Sequence, residues 1–139
     1  MSYKIYIAAP WIDKHLMPDI STKFETAGYE ITWKWWETED LGPKAENSIY
    51  DEELKIQAKH DFKGVKDCDI LVLINSAKSE GKAVEQGIAL ADHKPILAVG
   101  KRGDGTSMNV FHYMKNYKWV TSVDEAIKAL EEHVPSRSN

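Results

Sequence analysis

Short apolar runs alternate with segments of helical periodicity along nearly the whole chain, and this alternation limits the possible folds more than any other feature. Between the runs, apolar residues recur every three or four positions, which predicts helices. The apolar runs, which predict strands, are residues 3–8, 29–36, 70–75, 95–99 and 117–120. Strands that alternate with helices form βα units with right-handed crossovers. The sequence therefore predicts an α/β fold: a single-domain, doubly wound (flavodoxin- or Rossmann-like) parallel sheet of about five strands with helices on both faces.

Glycines and polar residues mark the predicted helix ends. The first helix, over residues 12–27, should end at Gly28 as its C-cap. The second should begin at Ser48, because Asp51 follows it at the spacing of a capping box. The remaining two helices are predicted from about Gly81 and, after the cap Ser122, over residues 123–130.

Composition and charge narrow the classes of function. The 139 residues are 42% hydrophobic, which suits one compact domain, predicted over residues 1–133 with a polar tail at 134–139. A formal net charge of −4 leaves no excess of lysine and arginine for a phosphate backbone, so no nucleic-acid partner is expected. The single cysteine, Cys68, excludes an internal disulfide and is expected in the core. The first residues resemble neither a signal peptide nor a membrane span, which predicts a cytoplasmic protein.

A carboxylate, Glu85, lies in the predicted third helix where the sequence is otherwise apolar. From Ala83 to Ala91 the helix is apolar or glycine nearly all the way round, which predicts burial on most sides. In open α/β sheets ligands bind outside the carboxyl ends of the strands, and Glu85 is in the early turns of a helix that leaves such an end. Glu85 is therefore either a functional carboxylate facing that crevice or a charge that suits a helix start.

A second carboxylate, Asp61, lies on the predicted inner face of the second helix. This face is the stripe Leu54, Ala58, Asp61 and Val65, and lysines mark the opposite, solvated side. Asp61 alone could be a buried carboxylate with satisfied hydrogen bonds. Two inward carboxylates at one edge of a sheet suggest instead a nucleophile and a proton-handling group, as in glycosyl transfer.

Three segments together carry a family resemblance. They are IYIAAPW (5–11), HDFKGVKDCDI (60–70) and SEGKAVEQGIALADHKPI (79–96). In this order they resemble the nucleoside 2-deoxyribosyltransferase family. The resemblance extends from residue 5 to about residue 112, and its most specific part is G-x-x-x-E-x-G with an upstream aspartate.

The resemblance implies roles for particular residues. It makes Glu85 the nucleophile, Asp61 the acid that works on the base, and Tyr6 the hydroxyl that orients the nucleophile. It implies a homo-oligomer and small-molecule substrates, a deoxynucleoside or deoxynucleotide and a nucleobase, with no metal and no cofactor. The implied substrate-binding residues are Ala8, Trp11, Ser79, Gly81 and Asn109, of which Asn109 reaches into the site of a neighbouring subunit.

Two of these residues indicate different reactions. Ser79 stands where members that use nucleosides carry an acidic residue, and it resembles the phosphate-binding serine of the branch that hydrolyses 2′-deoxynucleoside 5′-monophosphates. Asn109 and the loop that begins AAPWID resemble the nucleoside branch. Transfer of a 2-deoxyribosyl group between nucleobases is the expected function, nucleotide hydrolysis the first alternative, and a non-catalytic nucleotide-binding module the second.

Overall fold

The computed structural model describes residues 3–104 and 108–133, the last of them by its backbone alone. The strands are β1 (Lys4–Ala8), β2 (Glu30–Ile31), β3 (Ile70–Ile74), β4 (Ile96–Val99) and β5 (Tyr117–Val120). The helices are α1 (Met17–Thr26), α2 (Asp51–Asp67), α3 (Glu80–Ala91) and α4 (Val123–His133). The tail predicted at 134–139 lies outside the described residues.

All five strands pair in parallel in one sheet with the order β2-β1-β3-β4-β5. This is the order of a doubly wound, flavodoxin-like sheet, so the predicted fold class is confirmed. From β1 the chain continues to β2 at one edge of the sheet, and from β3 it continues through β4 to β5 at the other edge. The strand order therefore reverses between β1 and β3, and this is where a ligand crevice is expected in such a sheet.

The centre of the sheet supplies the core. Every residue of β3 is buried, which is typical of a parallel strand covered on both faces. In β1 only Lys4 is exposed, and Tyr6 pairs in register with Leu71 of β3. Cys68 is buried as predicted, 2% exposed. The two strands therefore form a rigid base for the residues at their carboxyl ends.

The predicted second strand, 29–36, is wrong beyond Ile31. After Thr32, whose amide donates to the Ile5 carbonyl (2.9 Å), the chain leaves the sheet. The Trp35 indole then donates to the Ile7 carbonyl (2.7 Å), which folds this segment back over the end of β1. The aromatic residues that suggested a strand instead pack around the carboxyl end of the sheet.

Two predicted helix starts are also corrected. Before α2, Asn47 is the capping residue and accepts from the Ile49 amide (3.1 Å), so Ser48 belongs to a single 3-10 turn. Residues 11–16 form a 3-10 helix and α1 begins only at Met17, because Pro18 lacks an amide hydrogen and fits only the first turn of an α-helix. The cap at Ser122 is confirmed, since its hydroxyl accepts from the Glu125 amide (3.1 Å).

The predicted burial of two helices is partly wrong. Val84 is 63% exposed, and Gly87 and Ala91 are exposed beside it, so an apolar side of α3 faces solvent. The inner side of α3 instead carries the buried polar side chains Lys82 and Gln86. On α2 the predicted inward residue Ala58 is exposed as well. Within the described ranges, no helix has the length and apolar character needed to cross a bilayer.

Candidate active site

The hydroxyl of Tyr6 donates a hydrogen bond to a carboxyl oxygen of Glu85. Tyr6 is in the middle of β1 and fully buried, and Glu85 is in the second turn of α3, the helix that follows β3. The contact thus joins the two elements at the reversal of strand order. The sequence-predicted pair of hydroxyl and carboxylate is present in the structure.

The electrostatic surroundings of Glu85 disfavour its charge. Burial raises its pKa, the Tyr6 hydrogen bond opposes this shift, the charge of Asp61 adds to it, and the resulting pKa is about 8. Burial also raises the pKa of the Tyr6 hydroxyl far above its usual value, so this group remains a hydrogen-bond donor at physiological pH. A carboxylate formed here is poorly solvated and held in one orientation, which are the properties of a reactive nucleophile.

Asp61 approaches the same place from α2. Its side chain is half-buried, and the Trp33 indole donates to its Oδ1 (3.0 Å). Burial raises the pKa of Asp61, while the Trp33 hydrogen bond and the nearby His60 lower it. The charge of Asp61 raises the pKa of Glu85, so an ionised Asp61 disfavours ionisation of Glu85.

The two carboxyl groups line one cavity of about 240 Å³. Of the sequence-predicted residues, Trp11, Ser79 and Gly81 also line it, whereas Ala8 does not and the adjacent Ala9 does. The cavity is further lined by residues that were not predicted: Trp35, Thr38, Gln57 and Lys82. One of these, Gln57, could have been found, because it precedes Asp61 by four residues and so lies on the same face of α2.

Aromatic side chains form one wall of this cavity. The rings of Trp11 and Trp35 lie 5.6 Å apart between centroids, and the Trp11 indole donates to Asp40 Oδ2 (3.2 Å). These rings offer a flat apolar surface, and Gln57 adds a polar side chain to the lining of the same cavity. Trp11 is 39% exposed, so the wall borders the entrance of the cavity.

Another part of the lining is the start of α3. Ser79 is the N-cap residue, and its hydroxyl accepts from the Lys82 amide (3.2 Å). The start of a helix carries a positive partial charge, which suits an anion. A side chain at Gly81 would meet only the Ser79 hydroxyl, at 3.9 Å, so Gly81 keeps this wall open to a ligand.

Lys82 is a buried cation, 3% exposed, that the sequence did not indicate. Its Nζ donates to Asn75 Oδ1 (2.9 Å) and to the Ala77 carbonyl, both in the segment that follows β3. Burial lowers the pKa of Lys82 to about 8, and the charge of Asp13 opposes this shift. The lysine thus fixes the loop that leads into α3 and adds positive charge to the site.

Asn109 lies apart from the two carboxyl groups. It lines a second cavity, of about 270 Å³, together with Ser79, Lys82 and His112. Its Oδ1 accepts from the Phe111 amide (3.0 Å), which caps a 3-10 turn. Within the chain, therefore, the structure brings Asn109 to the outer side of Ser79 and not to Glu85.

The fold resembles that of a known enzyme. The structure of the Clostridium botulinum CMP N-glycosidase BcmB is similar, with a TM-score of 0.59 and 20% sequence identity over 92% of this chain and 98% of that chain. At this identity the likeness establishes the fold. No protein-family model and no curated protein matches this sequence.

Proposed function

We propose that the protein cleaves the N-glycosidic bond of a nucleoside or nucleotide through a covalent intermediate on Glu85. The observation that carries this proposal is the hydrogen bond from the buried Tyr6 hydroxyl to Glu85, beside a second carboxyl group, Asp61, in one cavity. A nucleophile and an acid in a cavity with an aromatic wall are the groups that this reaction needs.

In the first step, a Glu85 carboxylate oxygen attacks C1′ of the sugar while the bond from C1′ to the base nitrogen breaks. The transition state resembles an oxocarbenium ion, and the product is a glycosyl ester of Glu85. Asp61 gives its proton to the departing base, so the base leaves as a neutral molecule. The productive form has the charge on Glu85 and the proton on Asp61, so a proton that burial favours on Glu85 must pass to Asp61 before the attack. The Tyr6 hydrogen bond stabilises the charge on Glu85 and so favours this form.

In the second step, the ester is resolved by water or by another nucleobase. Asp61, now ionised, accepts a proton from the attacking molecule, and Glu85 leaves as a carboxylate. Water gives hydrolysis, and a base gives a new nucleoside. Hydrolysis of a nucleotide is supported by Ser79 at the helix start and by the name of BcmB, a CMP N-glycosidase. Transfer of a 2-deoxyribosyl group is the second candidate, supported by Asn109 and the AAPWID loop.

Substitution of Ser79 should separate the two reactions. Asp and Asn both cap helices well, so Ser79→Asp and Ser79→Asn retain the start of α3 and differ mainly in charge. If a phosphate binds here, Ser79→Asp should process 5′-monophosphates at least ~100-fold more slowly than Ser79→Asn does, because two anions repel each other in a partly desolvated site. Reaction of unphosphorylated nucleosides should differ little between the two variants.

The measurement is chromatography of reactions that contain nucleotides or nucleosides, each with and without a second base such as cytosine. Free base and sugar phosphate from nucleotides would establish hydrolysis, and an exchanged nucleoside would establish transfer. Both the ribose and the 2-deoxyribose series belong in the assay, since CMP is a ribonucleotide. Equal rates of Ser79→Asp and Ser79→Asn on nucleotides would contradict a phosphate site at Ser79.

We also propose that the protein is a homo-oligomer. The exposed residues Gly87 and Ala91 of α3 line one cavity together with Phe111 and Met114 from the segment after Asn109. Further exposed apolar side chains lie on or beside these two elements: Val84, Met108 and Val110. Contiguous exposed apolar side chains of this kind commonly mark a subunit contact. A second copy seated there would also cover the cavity that Asn109 and Ser79 line.

A substitution that introduces one charge into this surface tests the oligomeric state. Phe111→Asp should convert a dimer or larger assembly into monomers, because it buries an unpaired carboxylate in the apolar contact. Ile49→Asp is a matched control, since Ile49 is also apolar and exposed but lies in the turn before α2 and lines neither of the cavities at this surface. Light scattering at the assay concentration measures both variants. An active wild-type monomer would contradict the proposed assembly.

A further inference from the structure

The acid of the proposed reaction is held by a tryptophan from the segment that leaves the sheet after β2. Trp33 Nε1 donates to Asp61 Oδ1 (3.0 Å), and among the described residues this is the only hydrogen bond of the Asp61 side chain. The bond occupies Oδ1 and leaves Oδ2 to carry the transferable proton. Trp33 itself does not line the cavity that holds the two carboxyl groups.

Several contacts fix the Trp33 ring on α2. The indole stacks on the His60 ring, with centroids 4.4 Å apart and an angle of 12° between the planes. Its neighbour Thr32 donates from its hydroxyl to the Gly64 carbonyl (2.7 Å). A tryptophan with its ring stacked and its backbone tethered has little freedom left, so the direction of its N–H is set before any ligand binds.

Gly64 makes this arrangement possible. A Cβ at Gly64 would lie 2.8 Å from Trp33 Cβ and 2.9 Å from the Tyr6 ring, closer than real contacts allow. Trp33 and Tyr6 therefore both pack on the bare backbone of α2, three residues after Asp61. Trp33, which donates to Asp61, and Tyr6, which donates to Glu85, therefore pack against the same residue, Gly64.

We propose that Trp33 is a positioning residue that directs Asp61 Oδ2 toward the departing base. This inference rests on the proposed function, because it assigns Asp61 the role of the acid. Trp33 acts in two ways: it fixes the rotation of the carboxyl group, and its N–H stabilises the negative charge that Asp61 gains when it gives up its proton.

Other charged and titratable groups surround Asp61 on three elements. His60 stands next to it on α2, Tyr6 approaches from β1, and Glu85 and Lys82 approach from α3. On the segment of Trp33 itself, Lys34 points away and pairs with Glu25 (3.2 Å). Among the described residues, none of these groups donates a hydrogen bond to the Asp61 side chain, and Trp33 is its only donor.

Trp33→Phe tests the inference, because phenylalanine retains an aromatic ring and removes the donor together with part of the indole. For a substrate whose base must be protonated, kcat/KM should fall about ten- to a hundredfold. For a 4-nitrophenyl glycoside of the same sugar, whose leaving group departs as an anion, it should change by less than about threefold. Trp119→Phe is the matched control, since the buried Trp119 indole nitrogen has no hydrogen-bond partner among the described residues.

The pH profile provides the second measurement. With a base that needs protonation, activity is lost as pH rises through the pKa at which the pair of carboxyl groups releases its proton. Without the indole N–H the ionised form of Asp61 is less stable, so this pKa rises and the alkaline limb should move to higher pH by about one unit. Incorporation of β-(3-benzothienyl)alanine at position 33, which exchanges N–H for sulfur and keeps the ring shape, should give the same shift even if Trp33→Phe folds poorly.

The outcomes separate this inference from the function on which it rests. A selective loss for the base substrate together with a shifted limb supports the positioning role. An equal loss of kcat/KM for both substrates, with the alkaline limb of the pH profile unchanged, overturns the positioning role. The proposed function then stays intact if the wild type is active. A wild type that cleaves no N-glycosidic bond overturns both.

Discussion

Glu85→Gln should reduce the rate of base release or exchange at least ~10,000-fold, as expected when the nucleophile of a covalent mechanism is removed. The amide oxygen of glutamine can still accept the Tyr6 hydrogen bond, so the fold and the shape of the cavity should be retained. Glu85→Ala should be equally inactive. Glu131→Gln, which changes an exposed glutamate on α4, is the matched control and should retain full activity.

The covalent intermediate can be detected directly. A 2-fluoro-2-deoxyribosyl substrate with a good leaving group should add the mass of its sugar to the peptide that contains Glu85, because fluorine destabilises the oxocarbenium-like state and slows the second step. Mass spectrometry after proteolysis identifies the peptide. Activity in Glu85→Ala, or label on a different peptide, would contradict the mechanism and would favour a non-catalytic binding role for the cavity.

Asp61→Asn should cause the second largest loss, and this loss should depend on the leaving group. For a base that must be protonated as it departs, the rate should fall by about 100- to 10,000-fold, the range of general acid catalysis. For a 4-nitrophenyl leaving group the first step should be nearly unaffected, so pre-steady-state release of nitrophenolate should persist. Steady-state turnover should still slow, because asparagine cannot accept the proton of the molecule that attacks the ester.

The control for this variant is Asp67→Asn on the same helix. Asp67 is exposed and pairs with Lys63, an i,i+4 contact of small energetic value. The Asp67→Asn variant should retain wild-type rates with both kinds of leaving group. Equal loss by Asp61→Asn on both leaving groups in the first step would show that Asp61 serves binding or folding and not proton transfer.

The fold and the convergence of the two carboxyl groups could be predicted from the sequence because both follow from periodicity and topology. A parallel sheet brings the carboxyl ends of its strands to one edge, and helical spacing places Asp61 and Glu85 on the sides of α2 and α3 that face this edge. Their catalytic roles remain predictions, which the variants above test.

Features that depend on particular tertiary neighbours could not be predicted. Lys82 is buried because Asn75 and the Ala77 carbonyl accept its hydrogen bonds, and neither acceptor can be inferred from the residues around Lys82. The alternating aromatic residues of 29–36 predict a strand, but a hydrogen bond from Trp35 to β1 takes the chain out of the sheet. Periodicity likewise cannot separate an apolar face of α3 that meets the core from one that meets solvent or another subunit.

The burial of Glu85 also links function to the pH dependence of folding. In the folded protein its pKa is about 8, compared with the ordinary 4.5 that the unfolded chain should have. At pH values between 4.5 and about 8, Glu85 holds a proton in the folded state and has released it in the unfolded state. Folding therefore takes up a proton in this range, and the free energy of unfolding falls as pH rises. The burial that makes the Glu85 carboxylate reactive thus lowers the stability of the folded protein. Selection for stability alone would replace Glu85 by an uncharged residue.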